Sequence, residues 1–423
     1  MEKITSVRGF KDILPDEAAI WLFVEEKARN IFGDFGFKEI RVPILEKSDL
    51  FKRSIGESTD IVEKEMYSFH DRGDEYLTLR PEATASVIRA YIEHSLHSID
   101  PVAKLFTMGP MFRRERPQKG RYRQFHQINA ECLGLDDPRV DSEMIIMLMQ
   151  LLHVMELENL RLEMNSLGCR DCRPTYRNEL AVFLQRKENA LCEDCRRRLR
   201  TNPLRVLDCK IESCHSVIDQ APRISAFICS ACNDHFDIIK QCLTALAVPF
   251  KVNDKIVRGL DYYTRTTFEV VTEALGAQNA VAGGGRYDSL VKDLGGPDVP
   301  GIGFAIGMER LISLMSIDKA SFHTHSDLFI AAIGKKAKEM AFTLCNRLRL
   351  QGIKTDISYP ATGLKNQMKR ADKLKCRFTL ILGENEIIER KVTLRNMQSG
   401  EQFIFDFENI ESDIISAIMK KGR

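Results

Sequence analysis

Residues 111–131 read MFRRERPQKGRYRQFHQINAE. Arg113, Arg114, Arg116, Lys119, Arg121 and Arg123 crowd a Pro–Gly loop between two strand-like runs that carry aromatic residues. Such a layout suits a triphosphate, because strands fix geometry while a loop delivers guanidinium forks to phosphate oxygens. Phe125 offers a ring on which a base can stack. A charge-rich surface hairpin has the same composition, so the stretch alone leaves both readings open. In residues 301–310, GIGFAIGMER, glycines allow close backbone approach to a ligand, and Glu309 and Arg310 open the following helix. The spacing is not the dinucleotide fingerprint, and no G-x-x-x-x-G-K-[ST] loop occurs, so a nucleotide here is held by arginines. A Gly-rich strand–helix packing joint would look the same. Residues 258–270, RGLDYYTRTTFEV, followed by AVAGGGRYD, set Arg258 and Asp261 beside a tyrosine pair. That mix can bind an anionic group and a small polar ring; a strand with an aromatic core face is the alternative.

Positioning these groups requires a mixed body. Residues 18–32 have apolar side chains at helical spacing, closed by Gly33 and Gly36, and a short strand then reaches Pro43. YLTLRPEATASVIRAYIEH reads as strand, turn and helix, with Pro81 suited to the first helical turn and Glu82 to its positive end. KLFTMGPMFRRE and RQFHQINAECLG read as paired strands, and FEVVTEAL, AVAGGGRY and GIGFAI add more. We therefore expect an α+β body with an antiparallel sheet over residues 1–167 and 248–320. A Cys- and Arg-rich, mostly helical insertion occupies 168–247. A small C-terminal α/β domain spans 327–423, after the polar joint SIDKASFHTHS.

The net charge of +2 over 423 residues conceals an asymmetry. Residues 327–423 hold 11 Lys and 7 Arg against 5 Asp and 7 Glu, a net +6, which leaves −4 on the rest. A basic domain on a slightly acidic body favours a polyanionic partner, although a solvated basic surface is equally compatible. No stretch approaches the ~20 apolar residues of a membrane helix. The N-terminus lacks the apolar core of a secretory signal, which fits a cytoplasmic protein with reduced thiols. Nine of the 12 cysteines fall between Cys169 and Cys242, including the pairs Cys169/Cys172, Cys192/Cys195 and Cys229/Cys232, with Cys209 and Cys214 between. Paired C-x-x-C spacing is that of a zinc ribbon, and zinc would help a small, charge-rich insertion to fold; thiols without a ligand are the alternative.

Taken together, these motifs resemble a known family. PQKGRYRQFHQ after FRRE is similar to motif 2 of the class II aminoacyl-tRNA synthetases, GIGFAIGMER to motif 3, and the strand ending at Pro43 to the weaker motif 1. RGLDYY, LRPEAT and the opening VRGFKDILP narrow the resemblance to the histidyl-tRNA synthetases of bacterial type, over essentially the whole chain. The resemblance implies ligation of L-histidine to its tRNA through a histidyl-adenylate, with Mg2+ accompanying ATP. It assigns ATP to Arg113, Glu115, Arg121, Phe125 and Arg310, and chemistry at the α-phosphate to Arg113 and Arg258. Histidine falls to Glu82, Ala83, Thr84, Arg113, Gln127, Glu131, Arg258, Tyr262 and Tyr263. Where this chain has Ala83 the family usually has Gly.

The resemblance further implies a homodimer through motif 1, anticodon-arm binding by the C-terminal domain with the basic helix 364–377 as the contact, and an acceptor stem beneath CRRRLRTNPLR. It also implies that the loop 118–123 reads an extra 5′ guanosine of the tRNA. Three other readings stand beside it. One is the catalytically silent relative that regulates ATP phosphoribosyltransferase, which typically lacks the C-terminal domain and breaks the catalytic arginines kept here. Another is a class IIa synthetase for threonine, proline or glycine, against which RGLDYY and Glu131 argue. A pure RNA-binding role leaves the ATP-type arginines unexplained.

Overall fold

In a computed structural model, all residues are described except 1, 2, 58, 118, 119, 276–278, 317–321, 323, 324, 361 and 421–423. The chain divides into two compact units, Met1–Lys319 and Ala320–Arg423. The polar joint between the expected domains therefore lies largely outside the described residues.

The strands of the first unit are β1 (Lys38–Glu39), β2 (Leu45–Lys47), β3 (Tyr67–His70), β4 (Tyr76–Leu79), β5 (Ala103–Phe112), β6 (Gln124–Leu133), β7 (Arg161–Ser166), β8 (Phe250–Val252), β9 (Thr264–Val271), β10 (Ala280–Arg286) and β11 (Gly301–Gly307). Eight of them form one sheet in the order β1-β5-β6-β11-β10-β9-β7-β8. Its six inner strands pair antiparallel, as the hairpin-like sequence pairs require, while the outer pairs β1–β5 and β7–β8 are parallel. Helices Pro15–Asp34 and Pro138–Val154 pack together beside the sheet, where Phe32 meets Phe106 and Phe304 edge-on at 5.2 and 6.1 Å. This aromatic contact joins the first helix to the sheet.

Two expectations need correction. Pro81 does not enter the first helical turn: the helix is Thr84–Glu93, capped at Ala83. The Glu82 carboxylate determines that start, accepting the Thr84 and Ala85 N–H groups at 2.7 and 2.9 Å and satisfying two of the free donors of the first turn. The strand expected to reach Pro43 ends at Glu39. Pro43 lacks a ladder donor, and Arg80 draws the Val42 and Pro43 carbonyls aside at 2.9 and 3.3 Å.

The segment 168–247 is helical, with helices Arg173–Arg186, Glu193–Thr201, Glu212–Asp219 and Ser230–Ala245. Its last helix is locked to the body by a buried network. His235 Nε2 lies 2.9 Å from Asp141, whose other oxygen takes the Arg286 guanidinium at 2.5 Å. Arg286 also donates to Asp288 and to the Leu135 carbonyl. A fully buried arginine is tolerated because every face of the fork finds a partner.

In the second unit β12 (Leu328–Ala332), β13 (Thr355–Ile357), β14 (Phe378–Leu382), β15 (Lys391–Asn396) and β16 (Gln402–Asp406) form a five-stranded sheet ordered β13-β12-β14-β15-β16. The β12–β13 and β12–β14 pairs are parallel and the last two antiparallel. Helices Lys335–Leu350 and Ile410–Lys420 contribute to its core. Strands and helices alternate as expected of a small α/β domain, with a short helix, Glu384–Glu389, before β15. The basic helix is shorter than expected, Leu364–Lys373. Gln367 is its buried anchor, bonding both the N–H and the C=O of Ala332. Lys365, Lys369, Arg370 and Lys373 stay exposed.

Candidate active site

The central strands and the turns at their ends surround a cavity of about 610 Å³ in the first unit. Its wall includes Glu82, Thr84, Arg113, Glu115, Arg121, Phe125 and Gln127 from the β4–β6 side. Arg258, Tyr262, Tyr263 and Arg310 face them. Ala83 and Glu131 are buried behind this wall rather than on it.

Sheet register explains much of the assembly. Glu131 on β6 stands opposite Gly303 on β11, and a Cβ at Gly303 would overlap the Glu131 carboxylate. At Gly301 a Cβ would meet the Tyr287 ring at 2.4 Å. Two glycines expected to admit a ligand therefore also admit the protein's own side chains. Glu131 Oε1 accepts a hydrogen bond from Thr84 Oγ1 at 2.6 Å, and Oε2 accepts one from the Tyr287 hydroxyl. Burial pushes the Glu131 carboxyl up to about 8, with the nearby Glu82 adding to the rise and the two hydroxyl donors opposing it. Burial likewise raises Glu82, against the pull of the Ala85 and Thr84 N–H groups.

Arg258 pairs with Glu269 of β9 and sits 5.7 Å from the centre of the Tyr263 ring. Glu269 is opposite Gly283 on β10, where a Cβ would come within 2.5 Å of Arg258 Nη1. The middle of AVAGGG thus makes room for this arginine. Burial opposes the Arg258 cation, but the Glu269 carboxylate outweighs it and holds the group above its ordinary pKa. Tyr262 lies 4.7 Å from Tyr263 and edge-on to Tyr287 at 5.7 Å, which completes a rigid aromatic corner.

Arg113 donates to the Pro81 carbonyl at 2.9 Å and lies over Phe125 at 5.2 Å. Arg121 pairs with Glu115, and Arg310 donates to the Ala280 carbonyl at 2.7 Å. Burial lowers all three guanidinium pKa values; Arg310 and Arg113 lower Arg121 further, and Arg113 does the same to Arg310. These cations are held close enough together to oppose one another, and a polyanion would relieve that repulsion. Gln127 Oε1, Asn129 Oδ1 and Arg258 Nε are buried and make no hydrogen bond among the described residues. The wall therefore keeps bonding capacity that the protein itself does not use.

Two supports hold the arginine loop. Glu309 accepts the His126 N–H with both oxygens, at 2.9 and 3.0 Å, and lies 3.0 Å from Nδ1 of the same residue. The Gly9 carbonyl accepts the Arg123 N–H at 2.8 Å. Gly9 has φ +91°, and a Cβ there would lie 2.8 Å from Arg123. Gln118 and Lys119, in the loop expected to read the tRNA end, lie outside the described residues.

Sequence reasoning missed Glu269 and Tyr287. No local signal marks Glu269, since only the β9–β10 register brings it to Arg258. Tyr287 follows the glycine run in GGGRYD, which was a usable hint. Within the basic stretch CRRRLRTNPLR, Arg196, Arg197 and Arg200 are exposed while two other arginines turn inward. Arg198 pairs with Asp60 at 2.8 Å, and Arg205 donates to the Gly259 carbonyl at 2.5 Å. Both bind the protein itself, while Arg200 keeps 79% of its side chain exposed.

A family model for histidyl-tRNA synthetase matches residues 9–311, and one for an anticodon binding domain matches residues 327–416. A histidine–tRNA ligase of Syntrophotalea carbinolica is 51% identical over 420 residues, 99% of each chain. One of Trichlorobacter lovleyi is 54% identical over 399 residues, covering 94% of this chain and 95% of that one. The crystal structure of apo S. aureus histidyl-tRNA synthetase superposes with a TM-score of 0.82 at 36% identity, covering 97% of this chain and 100% of that chain.

Proposed function

Because the chain belongs to the histidyl-tRNA synthetase family, we propose that this pocket couples L-histidine to its tRNA, using ATP and passing through a histidyl-adenylate. The fold is the α+β fold of class II synthetases followed by an anticodon-binding domain. One observation carries the assignment of the pocket. It gathers four arginines, a tyrosine pair and two buried carboxylates around one cavity.

In the first step a histidine carboxylate oxygen attacks the α-phosphorus of ATP, the bond to the bridging oxygen breaks, and pyrophosphate leaves. Arg113 and Arg258 bridge the α-phosphate and the carboxylate, where fixed cations offset the charge that develops. Glu269 holds Arg258 in place for this. Arg121 and Arg310 take the distal phosphates. Glu115, released from Arg121 when phosphate arrives, accepts from the adenine amino group, and Phe125 stacks on the ring. Mg2+ accompanying ATP would neutralise charge on the phosphate oxygens. In the second step a ribose hydroxyl of the terminal adenosine attacks the carbonyl carbon and AMP departs.

Selection of histidine draws on both walls. Glu82 receives the α-amino group, with Thr84 and Gln127 beside it and the buried Ala83 backbone supporting them from behind. Tyr263 and Glu131 receive the ring nitrogens, with Tyr262 alongside. Glu131 has acceptor positions left after Thr84 and Tyr287 have each taken one. A site built to bond both ring nitrogens rejects analogues lacking them by about 10⁴-fold or more, so editing is unnecessary.

Several finer points belong to this reading. The exposed face of helix Leu364–Lys373 binds the tRNA backbone, which sets register rather than sequence. The protein works as a homodimer, supported by the exposed apolar side chains of Ile44 and Leu45 beside Pro43. Twelve free cysteines fit the reducing cytoplasm, and among the described residues no helix is long and apolar enough to cross a membrane. Charging of a bulk tRNA pool with each amino acid in turn tests the assignment. Histidine alone should be transferred. Transfer of threonine, proline or glycine would identify another synthetase, and no transfer at all would favour a regulatory role.

A further inference from the structure

The three C-x-x-C pairs do not act as three units. In space the cysteines form two groups of four: Cys169, Cys172, Cys229 and Cys232, and Cys192, Cys195, Cys209 and Cys214. Within each group all four Sγ atoms lie within 4.8 Å of one another. Cys209 and Cys214, which spacing left unpaired, complete the second group.

The sulfur separations are informative. Cys169 and Cys172 are 3.6 Å apart, Cys169 and Cys229 3.9 Å, and Cys172 and Cys232 3.9 Å. In the second group Cys192 and Cys209 are 3.9 Å apart. Metal–sulfur bonds of about 2.3 Å in a tetrahedron put the sulfurs about 3.8 Å apart, whereas a disulfide needs about 2.05 Å. Backbone N–H groups also point at sulfur, from Cys169 to Cys172 at 3.2 Å and from Cys192 to Cys214 at 3.3 Å. Such donors stabilise thiolate rather than thiol. Gly168 (φ +70°) makes the first turn possible, since a Cβ there would sit 2.7 Å from Cys172 Sγ.

We propose that each group is a tetrathiolate zinc site. The first fastens the entry of the insertion to its exit, joining ligands 60 residues apart. The second closes a shorter loop in the middle. Zinc would close loops in a segment whose buried side chains, such as Tyr176, Leu180 and Val206, pack in one core with the body. Arg173 and Arg198, within electrostatic reach of Cys172 and Cys195, offset the negative charge of the sites. A four-iron cube would hold its cysteine sulfurs farther apart than these groups do, which selects a single ion. Between the ligand pairs of the second site, Asn202 donates to Asp261 at 2.8 Å and Arg205 reaches Gly259, so the segment that zinc would fix also grips the loop bearing Arg258.

Elemental analysis of the full chain, purified without chelator or added metal, tests the proposal independently of catalysis. About two zinc ions per chain are expected, falling to about one in Cys209→Ser and in Cys229→Ser and staying at two in Cys242→Ser. Replacement of zinc by cobalt in the unaltered chain, which requires no variant to fold, should give the intense visible spectrum of tetrahedral sulfur ligation. Less than about 0.2 zinc per chain, iron in place of zinc, or an octahedral cobalt spectrum would overturn the proposal.

Discussion

The arginines of the first unit's pocket and the lysine-rich helix of the second carry the same sign of charge in opposite settings. Arg113, Arg258 and Arg310 are packed into the sheet, stacked on aromatic rings or tied to fixed carbonyls and carboxylates. Lys365, Lys369 and Lys373 stand in solvent on a helix whose single buried polar anchor is Gln367. A buried cation is oriented before its ligand arrives and acts in low dielectric, so each one counts heavily and salt screens it little. An exposed cation is weak, mobile and screened, and acts only in numbers. The molecule thus places charge chemistry in the pocket and charge attraction on the surface.

The largest expected effect is at Arg258. In Arg258→His, single-turnover adenylation should slow by about 10²–10³-fold while histidine affinity changes far less. A normal adenylation rate would break the comparison, since a buried cation would then be no more than a packing element.

Next comes Glu131. In Glu131→Gln, kcat/KM for histidine should fall by about 10²-fold at constant ATP. The same variant has a stability signature with a definite sign. A folded-state carboxyl near 8 binds its proton more tightly than in the unfolded chain. Its contribution is therefore fully present below the unfolded carboxylate pKa and is lost as pH rises toward 8. Thermal melts between pH 5 and 8 should show the unaltered chain losing more stability than Glu131→Gln; parallel curves would contradict a raised carboxyl.

Smaller effects belong to the surface. Replacing both Lys365 and Lys369 by Ala should weaken tRNA binding modestly and reduce the slope of log affinity against log salt by about one per residue, with pyrophosphate exchange unaffected. An unchanged slope would remove this helix from the tRNA contact. Smallest of all, Arg200→Ala should leave stability within about 0.5 kcal/mol in a denaturant titration, whereas Arg198→Ala, which removes the 2.8 Å bond to Asp60 and leaves that carboxylate only longer pairs with Arg197, Arg205 and Lys64, should cost more.

The same contrast explains what the sequence disclosed. Regular elements were legible because apolar periodicity reflects burial, as in the helix Pro15–Asp34 and the strands β5 and β6. The arginine loop was legible because its members are neighbours in the chain. Glu269 was not, because its partnership with Arg258 exists only through the register of β9 on β10. The grouping of Cys209 and Cys214 with Cys192 and Cys195 was hidden for the same reason: folding, not spacing, sets it. Arg198 and Arg205 looked like outward-facing charge because composition does not report direction. The start of the helix at Thr84 was masked by a favourable Pro81, whereas the Glu82 carboxylate sets it from one residue later.

The most direct test of the account is ATP–pyrophosphate exchange by the unaltered chain across a panel of amino acids. Histidine alone should drive exchange, and it should do so without tRNA. Exchange driven by another amino acid, or none with histidine, would contradict the reading of the pocket.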